Sequence, residues 1–150
     1  MSQITNTILM IRPVAFRMNE ETAVNNYFQE DINLRKGEIN TKAQAEFDAF
    51  VVKLRGVGVN VIVENDDPTL DTPDSIFPNN WVSFHKSGMV GMYPMFAENR
   101  RRERREEIFI RLEKEGFLVE GFMDYTMAEE EGYFLEGTGS LLLDRVHNKV

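Results

Sequence analysis

The order of apolar runs in the first 65 residues restricts the fold of this chain more than any other feature. Ile8-Leu9-Met10-Ile11 is a continuous apolar run stopped by Arg12-Pro13. Proline gives no N–H to a ladder, so the run reads as a buried strand that ends there. Thr41 is a candidate N-cap for a helix in which Ala43, Phe47, Phe50, Val51 and Leu54 recur at helical spacing, with Gly56 and Gly58 as stop signals. Val59-Asn60-Val61-Ile62-Val63 follows directly as a second strand. Strand, helix and strand joined by short connections define an α/β class. The stretch from Val14 to Asn40 breaks periodicity and is expected to be mostly loop, with Tyr27 and Phe28 packing locally beneath it.

The second half repeats a related theme. Trp81 to His85 and Met89 to Tyr93 flank Lys86-Ser87-Gly88, which predicts an antiparallel hairpin with glycine free to take positive φ. A helix is expected from Arg100 to Glu115, burying Ile108, Phe109 and Leu112, followed after Gly116 by a strand at Phe117-Leu118-Val119. Leu141 to Arg145 reads as a further strand, entering a turn at Val146-His147-Asn148-Lys149 just before Val150. A hairpin cut at its turn would expose an apolar strand edge open to self-association, so the chain reads as the N-terminal portion of a longer domain.

Composition narrows the function. A chain of 150 residues with 42% hydrophobic content can build one core. A net charge of −8 opposes nucleic acid and acidic lipid as principal partners. The absence of cysteine removes disulfides, thiolate metal sites and any thiol nucleophile from these residues. No signal peptide or long apolar segment is present, which makes a cytoplasmic setting the default, and no metal or organic cofactor is indicated.

Four segments occur in a telling order: Arg12-Pro13; Pro73-Asp74-Ser75-Ile76-Phe77-Pro78-Asn79-Asn80-Trp81; Tyr93-Pro94-Met95-Phe96-Ala97-Glu98-Asn99 with the arginine run Arg100-Arg101-Arg102-Glu103-Arg104-Arg105; and Leu135-Glu136-Gly137-Thr138-Gly139-Ser140. Together they resemble the arginine deiminase and amidinotransferase superfamily, which modifies guanidine groups, and most nearly its amidinotransferase-related branch named for citrulline utilisation. The resemblance implies an α/β propeller, or pentein, of five ββαβ blades around a polar centre, with about two blades in this chain. It also implies a cysteine thiolate that attacks the central carbon of a guanidinium or ureido group, with a histidine as acid and base.

On that resemblance Asp74, Asn79 and Asn80 match substrate-orienting positions, and Glu136 matches the glutamate before the family's glycine turn, a candidate catalytic carboxylate. Arg101 or Arg102 matches an arginine for the amino-acid carboxylate. The paired asparagines depart from the expected carboxylates. A guanidinium only donates, whereas a ureido oxygen needs a donor such as an Asn amide, so the substrate is expected to be citrulline-like rather than cationic.

Simpler readings stand beside these. Asp74 could form an Asx turn after Pro73, and Asn79-Asn80 could bond their own loop; spacing alone favours this. Placed at one helix N-terminus, each exposed first-turn arginine would cost ~0.3–1 kcal/mol against the macrodipole, which an anion could offset. Alternatively Glu98, Glu103, Glu106 and Glu107 neutralise a solvated face. Glu136 could simply open a tight Gly137-Thr138-Gly139 turn, and His85 and His147 fit structural roles. A rival to the enzyme reading is a binding or assembly module derived from the same fold, without turnover.

Overall fold

The computed structural model describes residues 4–23 and 36–150. Strand β1 (Thr7–Arg12) pairs in parallel with β2 (Asn60–Asn65), with Ile8 opposite Val61 and Ile11 opposite Glu64. Helix α1 (Lys36–Gly56) lies on the crossover between them. Side chains alternate across a strand. Ile8, Met10, Val61 and Val63 therefore meet Phe47, Val51 and Leu54 of α1, while Leu9, Ile11 and Ile62 join a larger core on the other face. Covering both faces is what makes the run continuous rather than alternating.

The helix begins earlier than its apolar spacing suggests. Thr41 is not the N-cap: it lies inside α1, and its Oγ1 donates to the Gly37 carbonyl oxygen at 2.8 Å. Threonine within a helix satisfies its hydroxyl by this bond to the preceding turn. The end is as expected, with Gly58 at φ +89° and Val59 N–H bonded to the Leu54 carbonyl. Of the expected Val14–Asn40 loop, residues 36–40 are helical, whereas Tyr27 and Phe28 lie outside the described residues.

β3 (Val82–Phe84) and β4 (Met89–Met92) form the expected hairpin, turning at Gly88 with φ +83°. After a helical crossover, β5 (Gly121–Asp124) runs parallel to β4, giving the order β3-β4-β5. The chain thus contains a ββαβ unit over residues 82–124. The sheets share one core in which Trp81, Val90, Met95 and Ile108 are fully buried with Ile11, Ile62 and Leu112. Trp81 meets Phe109 edge-on at 6.2 Å. Each such side chain contributes ~1.5–3 kcal/mol on burial.

Three expected elements differ. The helix expected over Arg100–Glu115 is two pieces, α2 (Glu98–Arg101) and α3 (Glu106–Lys114), with Arg105 extended at φ −102° and ψ 132° between them. The break lets neighbouring arginines turn to different loops. Phe117 and Val119 pack on the core without entering a strand, and the ladder to β4 starts only at Gly121. The strand expected at Leu141–Arg145 is absent: a helical turn α4 (Gly137–Ser140) precedes it, and Asp144 and Lys149 form an isolated bridge around the turn. Leu142 is left 84% exposed because no ladder fixes it. The apolar strand edge proposed for self-association is therefore not formed among the described residues.

Candidate functional site

The loop from Asp66 to Asn80 runs between β2 and the buried Trp81, and it is held from within. Asp66, Thr72, Asp74 and Ser75 are buried, and Thr72 Oγ1 donates to Asp66 Oδ2 at 2.8 Å. Phe77 N–H bonds the Asp74 carbonyl at 3.0 Å, and Pro78–Asn80 form a single 3-10 turn that delivers Asn80 beside Trp81. Proline at the start of that turn suits it, having no N–H to satisfy there.

Arg100, which is 4% exposed, forms the centre of this region. Its Nε and Nη2 reach both oxygens of Glu103 at 2.9 and 3.0 Å. Nη2 also donates to the Phe77 carbonyl at 3.1 Å and, at 3.3 Å, to that of Asp74, while Nη1 donates to Asn80 Oδ1 at 3.0 Å. Burial works against the Arg100 charge, but the Glu103 hydrogen bonds and the charges of Glu103, Asp74 and Glu136 outweigh it and raise its pKa. Burial pushes the Glu103 carboxyl up to about 7, against the pull of Arg100 and helped by Asp74 and Asp66. One buried cation thus faces several carboxylates, leaving the cluster short of positive charge.

The remaining arginines of the run end largely on main-chain carbonyls. Arg101 donates to Met95 and Phe96 oxygens at 3.0 and 3.2 Å, lies 3.4 Å from Glu129, and sits over the Phe134 ring at 5.9 Å. Arg102 donates to the Leu70 carbonyl at 2.9 Å and Arg105 to that of Asn65 at 2.7 Å. Arg104 pairs bidentately with Glu129 at 2.7 and 3.1 Å. Arg100 and Arg101 occupy the last turn of α2, and Glu106 and Glu107 the first turn of α3. These placements agree with the macrodipole, so the expected cost does not arise for Arg100 and Arg101, whereas Arg105 stands at the N-cap of α3. The solvated-face reading fails for Arg100 and Arg104, which pair with Glu103 and Glu129 inside the fold.

Glu136 accepts the Phe96 N–H at 3.0 Å. The turn after it closes on the asparagines: Asn79 Nδ2 and Thr138 Oγ1 are 3.0 Å apart, and Thr138 Oγ1 donates to the Asn79 carbonyl at 3.2 Å. Gly137, at φ +35°, packs so closely that a Cβ would stand 2.5 Å from the Asn79 oxygen. A Cβ on Gly139 would collide with Asn80 Nδ2.

Asp74, Asn80, Arg100 and Glu136 thus come together around one hydrogen-bonded and electrostatic centre, with Asn79 tied to the same turn as Glu136. A groove of about 1000 Å³ includes Asn79 and Thr138 with Ser83 and His85, but not Asp74, Asn80, Arg101, Arg102 or Glu136. The Asx turn considered for Asp74 gives way to a longer-range bond, in which Asp74 Oδ2 accepts Asn19 Nδ2 at 2.7 Å. Arg100, Asn19 and Asn99 were not legible as site residues. The Arg100–Glu103 spacing was a signal for the first, and nothing in the local pattern marked the asparagines.

Each histidine meets one nearby side chain. His85 Nε2 lies 3.0 Å from Ser83 Oγ, and burial, with the charge of Arg145, holds its pKa below the usual histidine value. His147 Nδ1 lies 2.7 Å from Asp144 Oδ2 at the surface. Among the described residues, no group of three or more His, Asp or Glu side chains is arranged to hold a metal, and no helix is long and apolar enough to cross a membrane.

The ββαβ unit over residues 82–124, with the acid-and-arginine cluster at its loop ends, agrees with the α/β fold expected of the guanidine-modifying pentein class. Residues 12–150 match the family described as N,N dimethylarginine dimethylhydrolase, eukaryotic, and the chain belongs to that family. Comparison with curated proteins and with solved structures gave no match.

Proposed function

We propose that these 150 residues form the substrate-orienting part of a hydrolase that breaks a C–N bond in the ureido or guanidino group of an arginine-derived amino acid. The preferred ligand is the neutral, citrulline-like one. Asp74, Asn79 and Asn80 orient the reacting group, Glu136 is the acidic partner, and Arg101 or Arg102 addresses the amino-acid carboxylate. Arg101 is the stronger candidate, since it is held beside Phe134 and at the C-terminal end of α2. The five-bladed arrangement, and the view of this chain as one portion of it, belong to the same proposal.

The observation that carries the ureido preference is the sense of the Asn80 amide. A guanidinium can only donate, so the Arg100 contact at 3.0 Å fixes Asn80 Oδ1 on Arg100 and leaves Nδ2, packed beside Gly139, as the end of the amide that Arg100 does not engage. A donor suits a ureido oxygen and repels a guanidinium. The family description names dimethylated arginine, which supports a cationic ligand as the second reading.

The two separate by calorimetry with citrulline and N,N-dimethylarginine. Citrulline should bind more tightly to the native chain, and Asn80→Asp should shift the ratio about tenfold towards the cation. An unchanged ratio would remove Asn80 from the assignment. With no cysteine among these residues, release of ornithine or ammonia by the chain alone is expected to be absent. Turnover would contradict the thiolate mechanism, whereas ligand binding without turnover in any longer form would favour the binding-module alternative.

A further inference from the structure

The groove of about 1000 Å³ lies at the upper end of the range for small-molecule sites, ~300–1000 Å³. Its floor is an open flank of the larger core: Leu9, Phe84 and Phe117 are only partly buried there, and the two rings meet edge-on at 5.1 Å. Polar side chains along the walls bond one another. Ser83 Oγ lies 2.8 Å from the Tyr93 hydroxyl and 3.0 Å from His85 Nε2, and Asn79 Nδ2 lies 3.0 Å from Thr138 Oγ1. With protein partners already in place, these atoms can be covered by an alkyl chain at little desolvation cost.

The rim has a different character. The charged side chains lining the groove are Lys86, Arg145, Lys149 and Asp144, in a chain whose net charge is −8. Asp144 is committed to its own turn, where it accepts the Val146 and His147 N–H groups at 3.0 Å and lies 2.7 Å from His147 Nδ1. Lys86 and Lys149 are exposed and have no ion-pair partner among the described residues. Arg145 stands close enough to act on His85, whose pKa is lowered first by burial and then by that charge, so the imidazole is neutral near neutrality. The cations therefore outnumber a single carboxylate that is already engaged, and an anionic head group complements them.

We propose that this groove binds a free medium-chain fatty acid, with its alkyl chain along Leu9, Phe84 and Phe117 and its carboxylate among Lys86, Arg145 and Lys149. A neutral lipid would leave that rim unused and a cationic amphiphile would be repelled by it. The negative charge of the whole chain opposes an anionic bilayer as the source of the ligand. Burial of the alkyl chain supplies most of the affinity, because exposed ion pairs are weak, and the rim selects the sign of the head group. The proposal is independent of the ureido reading, since neither its floor nor its rim uses a residue assigned to that site.

The test titrates the full chain with octanoate and decanoate, below the concentrations at which they form micelles. It reads the ¹³C-methyl resonances of Ile76 and Leu143, which line the groove, against those of Val51, which lies outside it. Decanoate should shift the first two and not Val51, and should bind about tenfold more tightly than octanoate, from the burial of two further methylenes. Decanol and decylammonium should bind about fivefold more weakly than decanoate at the same resonances. Lys86→Gln combined with Lys149→Gln, both at exposed positions, should weaken decanoate about fivefold and leave decanol unchanged. Unmoved Ile76 and Leu143 resonances, equal affinity for decylammonium, or undiminished decanoate binding in the double variant overturns the proposal. So does a dimer in sedimentation whose dilution shifts Ile76 and Leu143, which would assign the groove to a second copy of the chain.

Discussion

Arg100 Nη1 and Asn80 Oδ1 stand 3.0 Å apart, and this bond has only one chemical sense. An arginine deep in the fold therefore dictates which face an asparagine shows at the site. The same guanidinium closes on Glu103 through two bonds, so stability and ligand reading meet in one side chain.

Arg100→Met should destabilise the chain by about 3–5 kcal/mol in urea unfolding, since Glu103 would be left buried without its partner. Arg100→Met combined with Glu103→Met should recover most of that loss, because a matched apolar pair removes both desolvation costs. The double variant should still fail to discriminate citrulline from N,N-dimethylarginine, having lost the group that orients Asn80. Full discrimination in the double variant would show that Asn80 is oriented by something else.

Glu103 makes a distinct pH signature. Its folded pKa of about 7 lies above the ordinary 4.5, so the folded state holds the proton more tightly between those values. The stabilisation from this group is fully present below pH 4.5 and is lost as pH rises through about 7. Urea midpoints measured across that window should decline more steeply for the native chain than for Glu103→Gln. Parallel profiles would place the Glu103 proton elsewhere.

Glu129 behaves in the opposite way. Burial opposes its ionisation, but hydrogen bonds from Arg104 and the Met95 N–H, with the charges of Arg104 and Arg101, hold its pKa below the ordinary 4.5. Its contribution is present above that value and is lost as pH falls towards the folded pKa. Glu129→Gln should cost about 2–3 kcal/mol near neutrality and less in acid, as read from the difference in unfolding free energy. A constant difference at all pH values would contradict this.

The two glycines after Glu136 should respond differently to alanine. Gly137→Ala sets a Cβ against two main-chain oxygens, Asn79 O at 2.5 Å and Asn80 O at 2.8 Å, at positive φ, and should destabilise by roughly 2–3 kcal/mol. Gly139→Ala collides with the end of the Asn80 side chain and otherwise makes ordinary contact with Glu136 Cβ at 3.8 Å. It should leave the melting temperature within a few degrees while weakening citrulline at least tenfold. Equal loss of stability in both would mean that Asn80 cannot yield.

Legibility followed the range of the interaction. The two strands flanking α1 and the hairpin rest on local apolar runs and on Gly88, so spacing was enough to find these elements, though not the parallel pairing of β1 with β2. The break between α2 and α3 was hidden because Arg104 and Arg105 satisfy distant groups, Glu129 and the Asn65 carbonyl, that helix propensity does not sense. The stretch after Gly139 read as a strand from its leucines, but it gains no ladder partner among the described residues. Within the site, Asp74, Asn80 and Glu136 were recognisable from motif order. Asn19 was not, because an amide's importance here comes from a carboxylate 55 positions away.

The arginine run grips oxygen atoms that every residue type carries. Side chains along the loops at 65, 70, 77 and 96 can consequently be exchanged without loosening those grips, provided the main chain keeps its course. Such a scaffold separates what a loop displays from what anchors it, and so leaves ligand preference open to change while the frame beneath stays the same.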